Sequence, residues 1–427
     1  MKYSSLFYII LILLLVACNG GSNKREISEK ELRKALDQKD FFTLSEKLSA
    51  DGQDIDKGRQ LYYSAFVEKA YGHHAASNAA IDELLTQYAT QFPDSVVVEL
   101  LDLKAANLLY QYRYGEVADV YNTIITKHRA SLDSTNVEQY ENLIGLTSIL
   151  RDVPEQKIAL QNSARIPCNR NAFNHLMIPV GAVNAQDEFI FDTGANFSTI
   201  SRSQAEKMNL KILESKVLIG SSTLTKVQSA VAIADSLYVG EVLFENVVFL
   251  LLPDEQLSFP DINYVIKGII GFPVIFQMGH LTFEKEGWLT IQKQDKKDGK
   301  ANMFLDGLNP VVQVFGDRDT LLFTFDTGAV NSELSFKYYK THQASLDSLG
   351  TTTNSRGGVG GMVEVKEITL PSLNYRIGSQ SGVLTDVPIS LEEYEFNKYF
   401  DGNLGQDVFS KYDRFVIDFV NMEVSLR

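Results

Sequence analysis

Phe191-Asp192-Thr193-Gly194-Ala195 recurs 134 residues later as Phe325-Asp326-Thr327-Gly328-Ala329. The same offset carries Gly268 and Gly271 of GIIGFPVIF onto Gly402 and Gly405 of GNLGQDVF, and Leu281-Thr282-Phe283 onto Phe415-Val416-Ile417. Separate motifs that keep one offset mark duplication or fusion of one unit. The two copies span 166–291 and 303–427, joined by a charged linker, 292–302, of sequence QKQDKKDGKAN. Around Ile166 the chain becomes rich in short Val, Ile, Phe and Leu runs punctuated by Gly, Asn, Asp and Ser, which predicts strands. Each Asp-Thr-Gly follows such a run, Glu188–Phe191 and Leu321–Phe325, so each Asp emerges where a strand turns.

One such loop does nothing alone. The glycine allows a tight turn and leaves backbone N–H groups free to point at a carboxylate. The short threonine hydroxyl can bond a neighbouring backbone and lock one loop to its twin. Two loops related by a pseudo-twofold axis bring their carboxylates to about 3 Å, where both cannot be ionised and one proton is shared. Such a pair can activate water with one carboxylate and protonate a carbonyl oxygen with the other. Asp192 and Asp326 are therefore the candidate catalytic pair, supported by Thr193, Gly194, Ala195, Thr327, Gly328 and Ala329. This chemistry needs no metal and no cofactor.

These motifs resemble those of the retropepsin-like aspartic peptidases, in a tandem, single-chain form covering residues 166–427. Ile269–Phe272 and Asn403–Gln406 fill that family's hydrophobic-hydrophobic-Gly position. The resemblance implies a bilobal, mostly β acid-protease domain that hydrolyses an extended peptide or unfolded protein laid between the lobes. It also implies flaps. Arg356-Gly357-Gly358-Val359-Gly360-Gly361-Met362 is similar to a Gly-rich flap tip, although a plain surface loop would read the same. The first copy's equivalent, including Gly220 and Ser221, has one glycine, so the second flap is expected to move more. Pepsin-like enzymes carry Ser or Thr where Ala195 and Ala329 stand. Loss of that hydroxyl predicts a dyad that keeps its proton to higher pH, with activity from mildly acidic to near-neutral pH.

Ahead of the repeat, 26–165 has helical periodicity. Gly72 and Gly115 separate helices lined with small and aromatic residues. The region is similar to tetratricopeptide-type hairpins, although the step between those glycines departs from that repeat's period. It reads either as a module with a protein partner or as an all-α domain that only packs on the β part. His73 and His74 fall here on different helix faces and read as solvated. The expected fold class is thus α+β multidomain.

Residues 1–17 form a signal segment: Lys2, the apolar run Leu6–Val16, then Leu15-Val16-Ala17-Cys18, which resembles the bacterial lipobox. The resemblance implies lipidation of Cys18, a tether over 18–25, and a lipid-anchored place in the bacterial envelope, on the periplasmic or outer-membrane face. Cys168 would then be the sole thiol, read as a packing residue. A net charge of −14 without a basic cluster beyond the N-terminus argues against nucleic acid as a partner. The competing reading is a protease-like fold that binds peptides without cleaving them; both intact Asp-Thr-Gly triplets weigh against it.

Overall fold

A computed structural model describes residues 29–182, 185–220, 226–297, 299–358, 361–394 and 398–427. The signal, tether and Cys18 lie outside the described residues, as do Ser221, Val359 and Gly360. None of the described helices is long and apolar enough to cross a membrane.

The architecture is α+β, with helices first and a mostly β region after them. A helical stretch over 29–37 is followed by Phe41–Asp51, Lys57–Ala70, His74–Gln87, Asp94–Tyr110, Tyr114–Lys127 and Ser134–Ile149. The starts are fixed by side-chain caps: Asp40, Asp56 and Asp133 each accept the backbone N–H three residues on. Gly72 makes its expected turn at φ 78°, but the next turn falls on Tyr112, at φ 59°. Gly115 lies inside the following helix. A tyrosine tolerates the left-handed backbone there because its hydroxyl donates to the Pro273 carbonyl at 2.6 Å, tying the turn to the β region.

The helices do not stand apart from the β region. Phe304, from the second copy, packs edge-on against Phe41 and Phe42 and belongs to the helical core with Val311 and Leu322. Lys39 pairs with Asp306 at 2.7 Å across the same seam. Contrary to the solvated reading, His74 is buried, stacking on Tyr110 at 4.1 Å with its Nε2 unpartnered. The docking of Tyr110 on Phe272 and Phe276 closes over this helix face, which local sequence does not reveal. Cys168 is buried, and desolvation pushes its thiol up to about 12, as suits a packing residue.

Each copy builds one sheet in the same way. In the first, Ala185–Phe191 runs parallel to Gly268–Ile270, which is antiparallel to Ser198–Ser201. In the second, Thr320–Phe325 runs parallel to Gly402–Leu404, which is antiparallel to Glu333–Leu334. Even the register repeats: Ile190 opposes Ile269 as Thr324 opposes Asn403. Both parallel pairs are short; the paired residues of the first are buried throughout, and in the second Phe323, Phe325 and Leu404 are buried while Thr324 and Asn403 are half-buried.

A five-stranded sheet ties the copies together. Ser163–Pro167, Trp288–Gln292 and His280–Glu284 come from the first, Arg414–Asp418 and Glu423–Leu426 from the second. At its centre Thr282 pairs with Val416, its own counterpart at the 134-residue offset, so the pseudo-twofold axis passes through this rung. Phe283 stacks on Phe415 at 4.3 Å. The strand ending at Gln292 and the strand starting at Met303 bracket the expected linker.

Candidate active site

The parallel strand pair in each copy delivers its Asp to the axis. Asp192 N–H donates to the Ile270 carbonyl, and Asp326 N–H to the Leu404 carbonyl, both at 3.0 Å. Beyond each Asp the loop curls back on its own carboxylate. Asp192 Oδ1 accepts from Gly194 N at 2.8 Å and Ala195 N at 3.2 Å. Asp326 Oδ1 accepts from Gly328 N at 2.8 Å and Ala329 N at 3.0 Å.

The threonines join the copies. Thr193 Oγ1 donates to the Phe325 carbonyl at 2.8 Å and accepts from Thr327 N at 3.0 Å. Thr327 Oγ1 reciprocates, donating to the Phe191 carbonyl and accepting from Thr193 N, each at 3.0 Å. Both side chains are fully buried, so all four backbone groups depend on these hydroxyls.

The glycines are required by close approach across the axis. A Cβ on Gly194 would meet the Asp326 carboxyl at 2.6–2.8 Å, and one on Gly328 the Asp192 carboxyl at 2.4–2.5 Å. Each carboxyl thus rests on the glycine of the other loop. Burial pushes the Asp192 carboxyl well above the usual carboxylate range. The Asp326 charge and the side-chain hydrogen bond with Asp326 push it the same way. Two carboxyl groups in this contact share a proton, and both side chains remain only half-buried, open to an incoming group.

The supporting residues repeat as well. Ser198 and Ser332 accept from Gly271 N at 3.0 Å and Gly405 N at 2.9 Å, anchoring the chain behind each Asp. Both stand at the offset of the two Asp residues, so extending the repeat comparison past the motif would have found them. Around Asp326 the symmetry breaks. Asn403 Nδ2 donates to Asp326 Oδ2 at 3.3 Å, so the missing hydroxyl at Ala329 does not leave this carboxylate without a side-chain donor. Behind it, Gln406 Nε2 donates to the Thr327 carbonyl at 2.7 Å and Gln406 Oε1 accepts from Arg170; the first copy has Phe272 there.

The residues read as flaps end two hairpins. Gly220 closes a strand paired with Lys226–Val239, and Gly357 and Gly358 oppose Met362 and Gly361. The intervening Ser221, Val359 and Gly360 fall outside the described residues.

No curated protein matches the chain. Residues 181–274, which include the first Asp-Thr-Gly loop and Gly271, match a family model described as an aspartyl protease, and that match supports aspartic protease activity in general terms.

Proposed function

We propose that the chain is a retropepsin-like aspartic endopeptidase whose two lobes lie on one polypeptide, held at a bacterial envelope membrane by lipid on Cys18. One observation carries the catalytic reading: two carboxyl groups in hydrogen-bond contact, each cradled by its own Gly and Ala N–H groups and locked by reciprocal threonine bonds. In this reading an extended peptide lies between the lobes with its scissile carbonyl over the dyad. The ionised carboxylate takes a proton from water as the water oxygen attacks the carbonyl carbon. The protonated carboxyl gives its proton to the carbonyl oxygen. Collapse of the tetrahedral adduct breaks the C–N bond, with the proton taken from water passing to the leaving nitrogen and one hydroxyl of the adduct returning its proton to the other carboxylate. The hairpins ending at Gly220 and Gly358 would close over the peptide, the second more freely.

The test incubates purified protein with an unfolded protein substrate from pH 4 to 7.5 and reads products by mass spectrometry. Cleavage by the wild type that vanishes in both Asp192→Asn and Asp326→Asn is expected. A folded wild type that cleaves nothing at any pH would reject the catalytic reading.

A further inference from the structure

The surroundings of the two carboxyl groups differ in kind. Thr324 and Asn403 oppose one another in register beside Asp326; their counterparts beside Asp192 are Ile190 and Ile269. These isoleucines are buried with Leu252, Leu257 and Ile266 in an apolar cluster. Among the described residues no side chain other than the Asp326 carboxyl is recorded in hydrogen-bond contact with Asp192; its donors are Gly194 N and Ala195 N. Asp326 has the matching pair of backbone donors on Oδ1 and, in addition, Asn403 Nδ2 on Oδ2.

An asparagine amide could turn either its oxygen or its nitrogen to a carboxylate. Thr324 decides between them. Its hydroxyl hydrogen has two acceptors in reach, Asn403 Oδ1 at 2.6 Å and the Gly402 carbonyl at 3.3 Å; the shorter bond takes it to Asn403 Oδ1 and leaves Nδ2 to face Asp326. An N–H donor stabilises the charged form of its carboxylate, whereas an apolar wall stabilises the neutral form.

We propose that Asn403, its amide oriented by Thr324, is a positioning residue that keeps Asp326 the ionised member of the pair and leaves the shared proton on Asp192. Asp326 then activates the water and Asp192 protonates the substrate carbonyl. The inference rests on the dyad described under Proposed function.

The consequence is specific to one limb of the titration. Asn403 stabilises the singly ionised pair against the fully protonated pair, so its loss raises the first deprotonation. Asp326 is ionised both before and after the second deprotonation, so that step moves little. The other groups near the pair are His175, close enough to feel the Asp326 charge, and Arg170, which reaches the region through Gln406. A His175→Gln background separates histidine titration from that of the dyad.

The experiment follows aspartate carboxyl carbons by NMR from pH 3 to 9, with Asp192→Asn and Asp326→Asn assigning the pair, alongside the pH dependence of kcat/KM. Asn403→Leu copies the apolar first lobe, and Asn403→Asp keeps the shape while replacing the amide by a carboxyl that, once ionised, cannot donate. Both should raise the first deprotonation, and the acid limb of the rate profile, by about one pH unit. Thr324→Val should shift it the same way by less. A structural role alone would lower activity at every pH without moving the limb. If Asn403→Leu does not fold, the near-isosteric Asn403→Asp and Thr324→Val carry the test. An unchanged first deprotonation in the folded variants overturns the proposal even where the wild type cleaves. A wild type that never cleaves, with the titration shifted as described, rejects the protease reading and leaves the assignment of the proton intact.

Discussion

Replacing Thr193 by valine keeps the side-chain shape and removes the hydroxyl on which two backbone groups depend. The Phe325 carbonyl loses its donor and Thr327 N–H loses its acceptor, at a position with no exposure to solvent. An unsatisfied buried polar group costs about 1–3 kcal/mol, so the two together cost about 2–6 kcal/mol. Thr193→Ser keeps the hydroxyl and should cost about 1 kcal/mol, the value of one buried methyl. The assay is urea unfolding followed by the fluorescence of Trp288, the single tryptophan, which sits in the sheet spanning both lobes. Because the lost bonds cross the axis, the transition that reports lobe separation should move to lower urea. A valine variant within about 0.5 kcal/mol of wild type, or a serine variant as damaged as valine, would refute the cross-axis account of these threonines.

Gly328→Ala places a Cβ 2.4–2.5 Å from the Asp192 carboxyl, so the dyad must shift by the order of an ångström. Cleavage should fall about 100-fold or more while the melting temperature changes far less, and unchanged kcat/KM would contradict the packing. Asp192 binds a proton more tightly folded than unfolded, so its contribution to stability falls as pH rises from about 3.8 through its raised folded value. Asp192→Asn should therefore gain on wild type with rising pH, by up to about 1.4 kcal/mol per unit, in parallel urea titrations. His74 carries the opposite sign: burial and the nearby Lys69 hold it down to about 4, so stability present above 6.5 is lost as pH falls toward 4. The loss reaches about 3 kcal/mol, and His74→Leu should flatten that slope in urea midpoints measured from pH 4.5 to 7.

Much of this site was legible in the sequence because it is built twice. The recurrence of Asp-Thr-Gly-Ala and its downstream glycine located both carboxyl groups, both cross-bonding threonines and the strands that carry them. Repetition reports what the halves share and is silent on where they differ. Asn403 fills a slot that reads as hydrophobic in Ile269, so its approach to Asp326 shows only when Thr324 is seen opposite it. Ala329 is silent on this donor for the same reason, since a hydroxyl absent from the loop does not exclude an amide from the neighbouring strand. In the helical region, Gly115 was a reasonable breaker, but Tyr112 makes the turn through a bond to Pro273 far away in sequence. His74 reads as a surface residue until Tyr110 and Phe276 close over it.

The central claim is that the dyad forms between the two halves of one chain. It is tested most directly by assaying Asp192→Asn, Asp326→Asn and an equimolar mixture of the two against wild type on an unfolded protein substrate. The account predicts cleavage by wild type in direct proportion to its concentration, and none by either variant or by the mixture. Activity regained on mixing would mean that each half pairs with a second chain, and activity kept by either variant would mean that the two carboxyl groups do not act as one pair.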